Sequence, residues 1–435
     1  MSLPLPSAHA RALYRREILS WGLIGFTLGL VEGATAAVLV KKGYAGLAPA
    51  PVVNLAVAFV SGAPALSNMV SFLWANLAHG RERVRLMVGL LASFALLVGL
   101  IGLAPRATSG LTFMVLSVIA ARVLWAGILT VRSSVWMANY PRTVLAQITG
   151  RIVIVTSFGV ALAAALAGIV LETRPAEARW LYLVAALVGL AAAWLYRGAR
   201  VRRSFRLLSA EAAEIGGAPL FSLRVLRQIL REDPQYRRFM FWLGLYGAGN
   251  LMLGAQLVIL FSDTLHLSAS MQIGILAIVP LLCIPVFTPV WARLFDAGHV
   301  IDFRARQCWV LVAAMFVMLA ALFTHWTALL WLGAVLLGVA NAGANLGWNL
   351  GHSDFASLGK MQHYMGVNVT LTGMRGLVAP PLGVLLCAAL ERQAEGGGRY
   401  ALLLPLVLTL AGAFGFRQMK EGRAPRAVNK AEHEQ

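Results

Sequence analysis

The sequence predicts an all-α polytopic membrane protein with twelve transmembrane helices. Hydrophobic residues make up 59% of the chain and charged residues 13%, and the mean hydropathy is +0.74. Apolar segments follow one another almost throughout, each close to the about 20 residues that cross a hydrocarbon core of about 30 Å. A soluble helix would have a polar stripe, whereas residues 402–408 have none. The predicted spans are residues 20–40, 51–77, 86–104, 110–138, 148–171, 179–196, 239–262, 270–295, 307–324, 326–350, 363–390 and 400–416.

The only long hydrophilic segment between these spans, residues 197–238, divides them into two sets of six. We therefore predict an N-terminal six-helix bundle over residues 1–196, a linker over residues 197–238, and a C-terminal six-helix bundle with a basic tail over residues 239–435. Two six-helix repeats in parallel are an established architecture of membrane transporters.

The linker contains a short pattern typical of an amphipathic helix. Leu223, Leu226 and Leu230 share one helical face, and Asp233-Pro234 ends the helix. A basic helix of this kind lies in the membrane interface. A solvated linker is the alternative.

The net charge of +19 reflects topology rather than nucleic-acid binding, because the positive side chains lie in short loops between apolar spans. Most of them fall on one side of the membrane. The positive-inside rule then places both termini and the linker in the cytoplasm. We expect a protein of the bacterial inner membrane. Few loop cations fall on the other side: Lys41, Lys42, Arg106, Arg174, Arg179, Arg392 and Arg399.

The sequence contains no motif for catalysis, a cofactor or a metal. No nucleophile elbow, phosphate-binding loop or metalloprotease helix is present. The three cysteines, Cys283, Cys308 and Cys387, lie inside predicted spans and have no zinc-site spacing. We expect a protein that is not an enzyme and that uses an ion gradient or facilitated diffusion.

A short repeat relates the two halves. Trp74-Ala75-Asn76-Leu77 ends span 2, and Trp291-Ala292-Arg293-Leu294 ends span 8, which is the second span of the second half. The equivalent placement of these segments supports two related halves.

With twelve spans, a long central loop and this repeat, the chain resembles a member of the major facilitator superfamily. The loop signature of that family, about G-x-L-x-D-R, resembles residues 75–80 (Ala-Asn-Leu-Ala-His-Gly) and residues 292–297 (Ala-Arg-Leu-Phe-Asp-Ala). The acidic position is His79 in the first copy and Asp296 in the second. The resemblance implies a gate at this face, to which we also assign Arg83 and Asp354.

Glu32 and Arg122 are ionisable residues that the sequence places near the middle of the membrane, about 12 residues into spans 1 and 4. The resemblance implies that spans 1, 4, 7 and 10 line a central cavity, so the two side chains would meet or face one solute. Arg122 also resembles the first residue of the family's span-4 signature R-x-x-Q-G-x-G, with Trp125 at the glutamine position. A buried pair that only fixes helix register is the alternative.

Span 10 has two stripes with a four-residue period. Asn341, Asn345 and Asn349 form a polar stripe that would present amides to a polar solute. On the opposite face the stripe is made of glycines, which allow close helix packing in lipid. Hydrogen bonds between helices, without a ligand, are the alternative for the amides. The glycines are Gly343, Gly347 and Gly351.

Other spans add candidates for the same cavity. Asn250 and Gln256 in span 7 and Arg375 in span 11 are polar residues at membrane depth. Three tryptophans are candidates for an apolar wall: Trp125, Trp136 and Trp348. We interpret Arg132 and Arg151, near the ends of spans 4 and 5, as more structural than solute-binding.

These features favour a monomeric secondary transporter that moves a small organic solute by alternating access within the lipid bilayer. Uptake of a polar or anionic solute, coupled to protons, is the first hypothesis, because the expected cavity contains amides and an arginine. Efflux of an amphipathic or cationic compound is the second, supported by Glu32 and the tryptophans. A membrane assembly factor without transport activity is the third.

The orientation makes a direct prediction. Cysteines introduced at Ser209 and Ala427 should react only with a membrane-permeant thiol reagent in intact cells, because both positions are predicted to be cytoplasmic. The measurement is labelling with a permeant and an impermeant maleimide. Ready labelling by the impermeant reagent would overturn the orientation.

Overall fold

A computed structural model describes residues 8–140, 142–199, 223–352, 354–356 and 361–423. Over these residues the protein is helical and has no strands, and it has 12 helical segments long and apolar enough to cross a membrane. The predicted fold class is therefore confirmed. The tail beyond residue 423 and residues 200–222 of the predicted linker lie outside the described residues.

The first six spans contain eight α-helices, because spans 1 and 2 are each interrupted. Two short 3₁₀ turns, Asn68–Val70 and Pro175–Glu177, lie within span 2 and before span 6. The helices are Ala8–Gly29 and Gly33–Gly43 (span 1), Ala50–Ser67 and Ser71–Ala78 (span 2), Arg83–Ile101 (span 3), Thr108–Asn139 (span 4), Arg142–Thr173 (span 5) and Ala178–Tyr196 (span 6).

The second half follows after a linker helix, Leu223–Glu232. One turn of π-helix, Gly274–Ile278, interrupts span 8, and a 3₁₀ turn, Gly397–Leu402, precedes span 12. The helices are Pro234–Asp263 (span 7), Ala269–Ile273 and Val279–Asp296 (span 8), Val300–Thr324 (span 9), Thr327–Leu350 (span 10), Met361–Gln393 (span 11) and Leu403–Glu421 (span 12).

The linker helix ends at Glu232, directly before Asp233-Pro234, as the sequence predicts. Asp233 also begins span 7, because its side chain accepts a hydrogen bond from the backbone N–H of Tyr236 at 2.8 Å. The helix packs against spans 7 and 11, and the hydroxyl of Tyr364 donates to Asp233 at 3.0 Å. The linker helix is therefore joined to the second half.

Glycines bring helices of each half close together. In the first half, a Cβ atom on Gly29 of span 1 would lie 2.6 Å from the carbonyl oxygen of Val160 in span 5. In the second half, a Cβ on Gly343 would lie 2.7 Å from Gln307, and one on Gly347 would lie 2.7 Å from Arg304. Span 10 thus packs tightly on span 9 through its glycine face, as its sequence predicts.

The two halves meet along two seams. Span 2 packs on span 11, where a Cβ on Gly376 would lie 2.6 Å from that of Ala65. Span 5 packs on span 8, where a Cβ on Gly168 would lie 3.0 Å from the Cα of Ser270. The space between the seams is therefore bounded by both halves.

An ion pair joins the halves at one membrane face. We call the face where span 1 begins and span 12 ends the terminal face, and the other the opposite face. At the opposite face, Lys41 at the end of span 1 donates to Asp263 at the end of span 7 at 2.7 Å, and to Asn54 of span 2 also at 2.7 Å. The lysine side chain is 9% exposed and the aspartate 50% exposed. The two halves are thus held together on this side, and we call these three residues the Lys41 clasp.

Breaking the Lys41 clasp should loosen the opposite face. In the variant Asp263→Asn, a cysteine introduced at Ser270 on the span 5–span 8 seam should react with maleimide up to about fivefold faster, because a partly exposed ion pair contributes up to about 1 kcal/mol. The measurement is the labelling rate of purified protein at low salt.

The matched control is Glu177→Gln, which removes an exposed ion pair with Arg174 within the first half on the same face. This control should leave the labelling rate unchanged. An unchanged rate in Asp263→Asn would show that the clasp does not hold the halves together.

Candidate functional site

Span 1 is broken at the acidic residue that the sequence singled out. The first helix ends at Gly29 and the second begins at Gly33, and Glu32 between them has an extended backbone with φ −72° and ψ 137°. Non-helical backbone at membrane depth is tolerated where it is buried in protein or lines a cavity. The apolar pattern did not predict this break, although glycines flank it on both sides.

Glu32 forms an ion pair with Arg122. The Nη1 atom of the arginine donates to the Oε2 atom of the glutamate at 2.8 Å, so spans 1 and 4 are joined as expected. The arginine side chain is 9% exposed and the glutamate 37% exposed. The Nε of Arg122 is buried and finds no hydrogen-bond acceptor among the described residues. The pair therefore consists of an enclosed cation and a more accessible acid.

The glutamate lies on the wall of a cavity between the two halves. The cavity has a volume of about 410 Å³, and spans 1, 4 and 5 of the first half and spans 8 and 10 of the second form its wall. Most of the wall is apolar, with residues such as Leu28, Val160 and Leu281. The polar residues on it are Glu32, Arg132, Thr156, Ser157 and Asn341.

Arg132, for which a structural role was expected, also lies on this wall. Its guanidinium carbon lies 4.3 Å from the ring centre of Trp136 and 4.8 Å from that of Trp21. The two indoles therefore hold the cation by cation–π contacts rather than by a salt bridge. Its Nε is buried without a hydrogen-bond partner in the described part of the chain.

A buried acid beneath these indoles was missed by sequence reasoning. Glu17 has no exposed surface and accepts hydrogen bonds from the hydroxyl of Tyr140 at 2.5 Å, the hydroxyl of Tyr196 at 3.0 Å and the indole of Trp136 at 3.2 Å. Burial raises the pKa of Tyr140, which therefore stays protonated and donates. Span 1 begins well before residue 20, so Glu17 lies inside it. The predicted span was too short to include this acid.

Two tryptophans expected on the cavity wall lie inside the first half instead. Trp136 donates to Glu17, and the ring of Trp125 lies 6.0 Å from Trp21 and 5.4 Å from Phe94. Trp348 donates to the hydroxyl of Thr372 in span 11 at 3.4 Å. These rings pack helices together, which is the more common role of lone tryptophans.

The amide stripe of span 10 reaches the cavity with its first residue. Asn341 lies on the cavity wall. Asn345 and Asn349 are exposed, and the side chain of Asn349 donates to the carbonyl of Asn345 at 2.7 Å. The four-residue period continues the stripe from the cavity towards the terminal face, where span 10 ends.

Gln256 and Arg375 lie within the second half and not on this cavity. Gln256 has no exposed surface, and its amide donates to the carbonyls of Gly383 at 3.0 Å and Ala401 at 3.2 Å. Arg375 donates to the hydroxyl of Thr372 at 2.7 Å and also to backbone carbonyls of spans 7 and 11. Both side chains connect helices, which corrects their assignment to the solute site.

Asn250 of span 7 is half-buried. Its side chain makes no hydrogen bond with the described residues, and it does not lie on the wall of the 410 Å³ cavity. It is therefore not part of the site formed by Glu32, Arg132 and Asn341.

The residues expected at a gate lie at the terminal face. Asp354 accepts a hydrogen bond from the backbone N–H of Val300 at 2.6 Å and so stabilises the start of span 9. Arg83 donates to the carbonyl of Arg81 at 3.0 Å, and His79 follows the last helical residue of span 2. Asp296 is exposed and forms no ion pair within the described residues.

This site combines an ion pair with further polar groups on a largely apolar wall. A site of this composition suits a small organic molecule. The described residues contain no cluster of three or more His, Cys, Asp or Glu side chains that could hold a metal ion.

Known proteins agree with this architecture. The sequence profile of the Major Facilitator Superfamily matches residues 17–380. No curated protein sequence matches the chain significantly.

Several solved structures share the fold at low sequence identity. A D-xylose–proton symporter superposes with a TM-score of 0.72 at 11% identity, over 95% of this chain and 98% of that chain. The xylose transporter XylE from E. coli, in a partially occluded inward-open conformation, has a TM-score of 0.65 at 10% identity, over 96% of this chain and 100% of that chain. The human organic anion transporter MFSD10 has a TM-score of 0.59 at 14% identity, over 94% of this chain and 100% of that chain. Together with the match over residues 17–380, this likeness shows that the chain belongs to the major facilitator superfamily and is a transporter rather than an enzyme.

Proposed function

We propose that this transporter takes up a small polar or anionic organic solute together with protons, by alternating access. In this proposal it works as a monomer in the bacterial inner membrane, with both termini in the cytoplasm. The observation that carries the proposal is the Glu32–Arg122 ion pair at the wall of the cavity between the halves.

The unequal exposure of the two partners suggests how proton and solute are coupled. Glu32 is the more accessible partner, at 37% exposed, and is the group that a proton from the cavity can reach. Protonation of the glutamate removes the negative charge that compensates Arg122, which is itself only 9% exposed. An uncompensated cation in a low-dielectric site is unfavourable, so an anionic group of the solute would replace the lost carboxylate. Proton and anion would therefore bind together.

A second arginine on the wall adds a cation that can attract an anionic solute. Arg132 lies on the same cavity wall, held by two indole rings and not by a carboxylate in direct contact. The second helix of span 1 begins next to Glu32, and the N-terminal end of a half-helix favours negative charge. The hydroxyl of Ser157 and the amide of Asn341 would bind the uncharged polar groups of the solute.

Because the opposite face is closed, this conformation fits the stage of the transport cycle in which the solute exchanges with the cytoplasm. The Lys41 clasp and the span 5–span 8 seam hold the two halves together there. If that face is extracellular, the solute enters or leaves from the cytoplasm in this state. Proteins with a similar fold include a D-xylose–proton symporter and an organic anion transporter. Both are compatible with a proton-coupled carrier of polar or anionic solutes.

Efflux of an amphipathic or cationic compound is the second candidate. The largely apolar wall, with residues such as Leu28, Val160 and Leu281, favours it. The two candidates differ in the sign of the coupling. A cation would compete with the proton for Glu32, whereas an anion would bind better once Glu32 is protonated.

The Glu32–Arg122 pair should therefore be necessary for the response to pH. Glu32→Gln should destabilise the protein by about 3–5 kcal/mol, because it leaves the enclosed Arg122 without its partner. Arg122→Gln should cost less, because Glu32 is partly exposed. The double variant should be more stable than Glu32→Gln and should have lost its response to a pH gradient. Stability is measured by thermal unfolding of the purified protein.

Transport is measured in proteoliposomes with solutes that stabilise the purified wild type against unfolding, chosen from small organic acids, neutral polar metabolites and lipophilic cations. The paired variant Arg174→Gln/Glu177→Gln removes an exposed ion pair far from the cavity and is the control. A double Glu32/Arg122 variant with normal pH dependence would reduce the pair to a structural contact. Stabilisation by lipophilic cations alone would favour efflux.

A further inference from the structure

A second large recess lies on the surface of the second half, at the terminal face. It has a volume of about 790 Å³ and is formed where span 7 begins and span 12 ends. It is separate from the cavity of Glu32, because none of its residues is shared with that cavity. Its charged and aromatic residues are Arg237, Arg238, Phe241, Trp242 and Arg423. We call it the span 7–12 groove.

The rim of the groove has an excess of positive charge. Arg423 pairs with Asp302 at 3.2 Å, whereas Arg237 donates only to the carbonyl of Leu230 at 3.2 Å. Arg238 is exposed and forms no hydrogen bond or ion pair within the described residues. Among the residues that the structure describes, these two guanidinium groups of span 7 have no carboxylate partner.

The acids near the groove accept hydrogen bonds from other groups. Glu421 of span 12 accepts from Arg417 at 2.9 Å, and Glu232 of the linker helix accepts from Gln228 at 2.6 Å. Asp233 accepts from the backbone of Tyr236 at 2.8 Å and from the hydroxyl of Tyr364 at 3.0 Å. None of these three acids forms an ion pair with Arg237 or Arg238, so both guanidinium groups can bind an anion.

The floor of the groove is aromatic. Phe241 is 57% exposed, and its ring lies 5.0 Å from that of Trp242 at an angle of 70°. Both residues follow the arginines by about one helical turn, on the side that enters the membrane. Gly415 of span 12 allows the indole of Trp242 to lie directly against its backbone. The groove therefore has a cationic rim at the membrane surface and an apolar floor deeper in.

We propose that the span 7–12 groove binds an anionic phospholipid. The phosphate would accept hydrogen bonds from Arg237 and Arg238, whose guanidinium groups suit a phosphate diester. One acyl chain would lie along the exposed ring of Phe241. Basic pockets between transmembrane helices are known to bind anionic head groups. A free phosphate ion would use the arginines but would gain nothing from the aromatic floor.

Bound lipid would also stabilise the linker helix. Arg237 already joins span 7 to the last turn of that helix through the carbonyl of Leu230. A phosphate on Arg237 would fix the same side chain from its other side. The site would thus fasten the linker to span 7 without taking part in solute binding, and it does not depend on the proposed function.

The test is lipid binding to the purified full-length protein, measured by native mass spectrometry. Phosphatidylglycerol should bind more tightly than phosphatidylcholine with the same acyl chains. The double variant Arg237→Gln/Arg238→Gln should weaken phosphatidylglycerol binding about thirtyfold, since each arginine near an anionic lipid contributes about 1 kcal/mol. Arg417→Gln, an exposed arginine of span 12 outside the groove, is the matched control and should bind like the wild type.

Three results would overturn the proposal. These are unchanged phosphatidylglycerol binding in the double variant, equal binding of phosphatidylcholine, and binding of glycerol 3-phosphate or inorganic phosphate as tight as that of the lipid. The last result would assign the arginines to a soluble phosphate. If the double variant does not fold, Arg238→Gln alone decides. This side chain makes no contact that the fold needs, and its loss should weaken binding about fivefold.

Discussion

The structure depends on the cost of a charge in hydrocarbon, which is several kcal/mol unless the charge is paired or reaches water. Buried charged side chains bond to groups on other spans. Glu17 accepts from donors in spans 4 and 6, and Glu32 of span 1 pairs with Arg122 of span 4. Arg304 of span 9 donates to the carbonyl of Ala344 in span 10 at 3.5 Å, and to Gln307 of its own span at 2.9 Å. These contacts decide which faces of the helices turn inward.

Close helix packing makes those contacts possible. Gly347 lets the guanidinium of Arg304 lie directly against span 10, and Gln307 then bridges to the hydroxyl of Tyr246 in span 7 at 3.1 Å. In the first half, Gly29 lets span 1 approach the backbone of span 5. The buried hydrogen bonds thus depend on small residues at the helix contacts. Helices held apart by large side chains would not bring the polar groups within hydrogen-bond distance.

The fold could be predicted from hydropathy because the bilayer imposes one length and one polarity on every span. Glu32 and Arg122 could be singled out for the same reason, since an ionisable residue stands out at mid-span. The roles of Gln256 and Arg375 could not be predicted, because a polar residue at membrane depth is equally well suited to a neighbouring helix and to a cavity. Which of the two a residue contacts depends on the rotation of its helix about its own axis. For Gly343 the four-residue repeat of glycines identified the packed face, whereas a single amide such as Gln256 gives no such pattern.

Glu17 and the break in span 1 were missed, and Arg132 was not expected on the cavity wall, for related physical reasons. A span predicted from hydropathy ends where charged residues begin. The predicted span 1 therefore excluded Glu17, although this acid is buried near the terminal face. Arg132 is stabilised by aromatic rings that are distant in sequence. A break flanked by glycines leaves hydropathy unchanged, because glycine is nearly neutral in such a scale.

The break in span 1 leaves a short separate helix on the side of the opposite face. The helix Gly33–Gly43 has Glu32 at one end and Lys41 in its last turn. Nine residues of helix separate the two by about 14 Å. The residue that pairs with Arg122 and the residue that joins the two halves are thus at opposite ends of one short helix. Any tilt of this helix would move both contacts together.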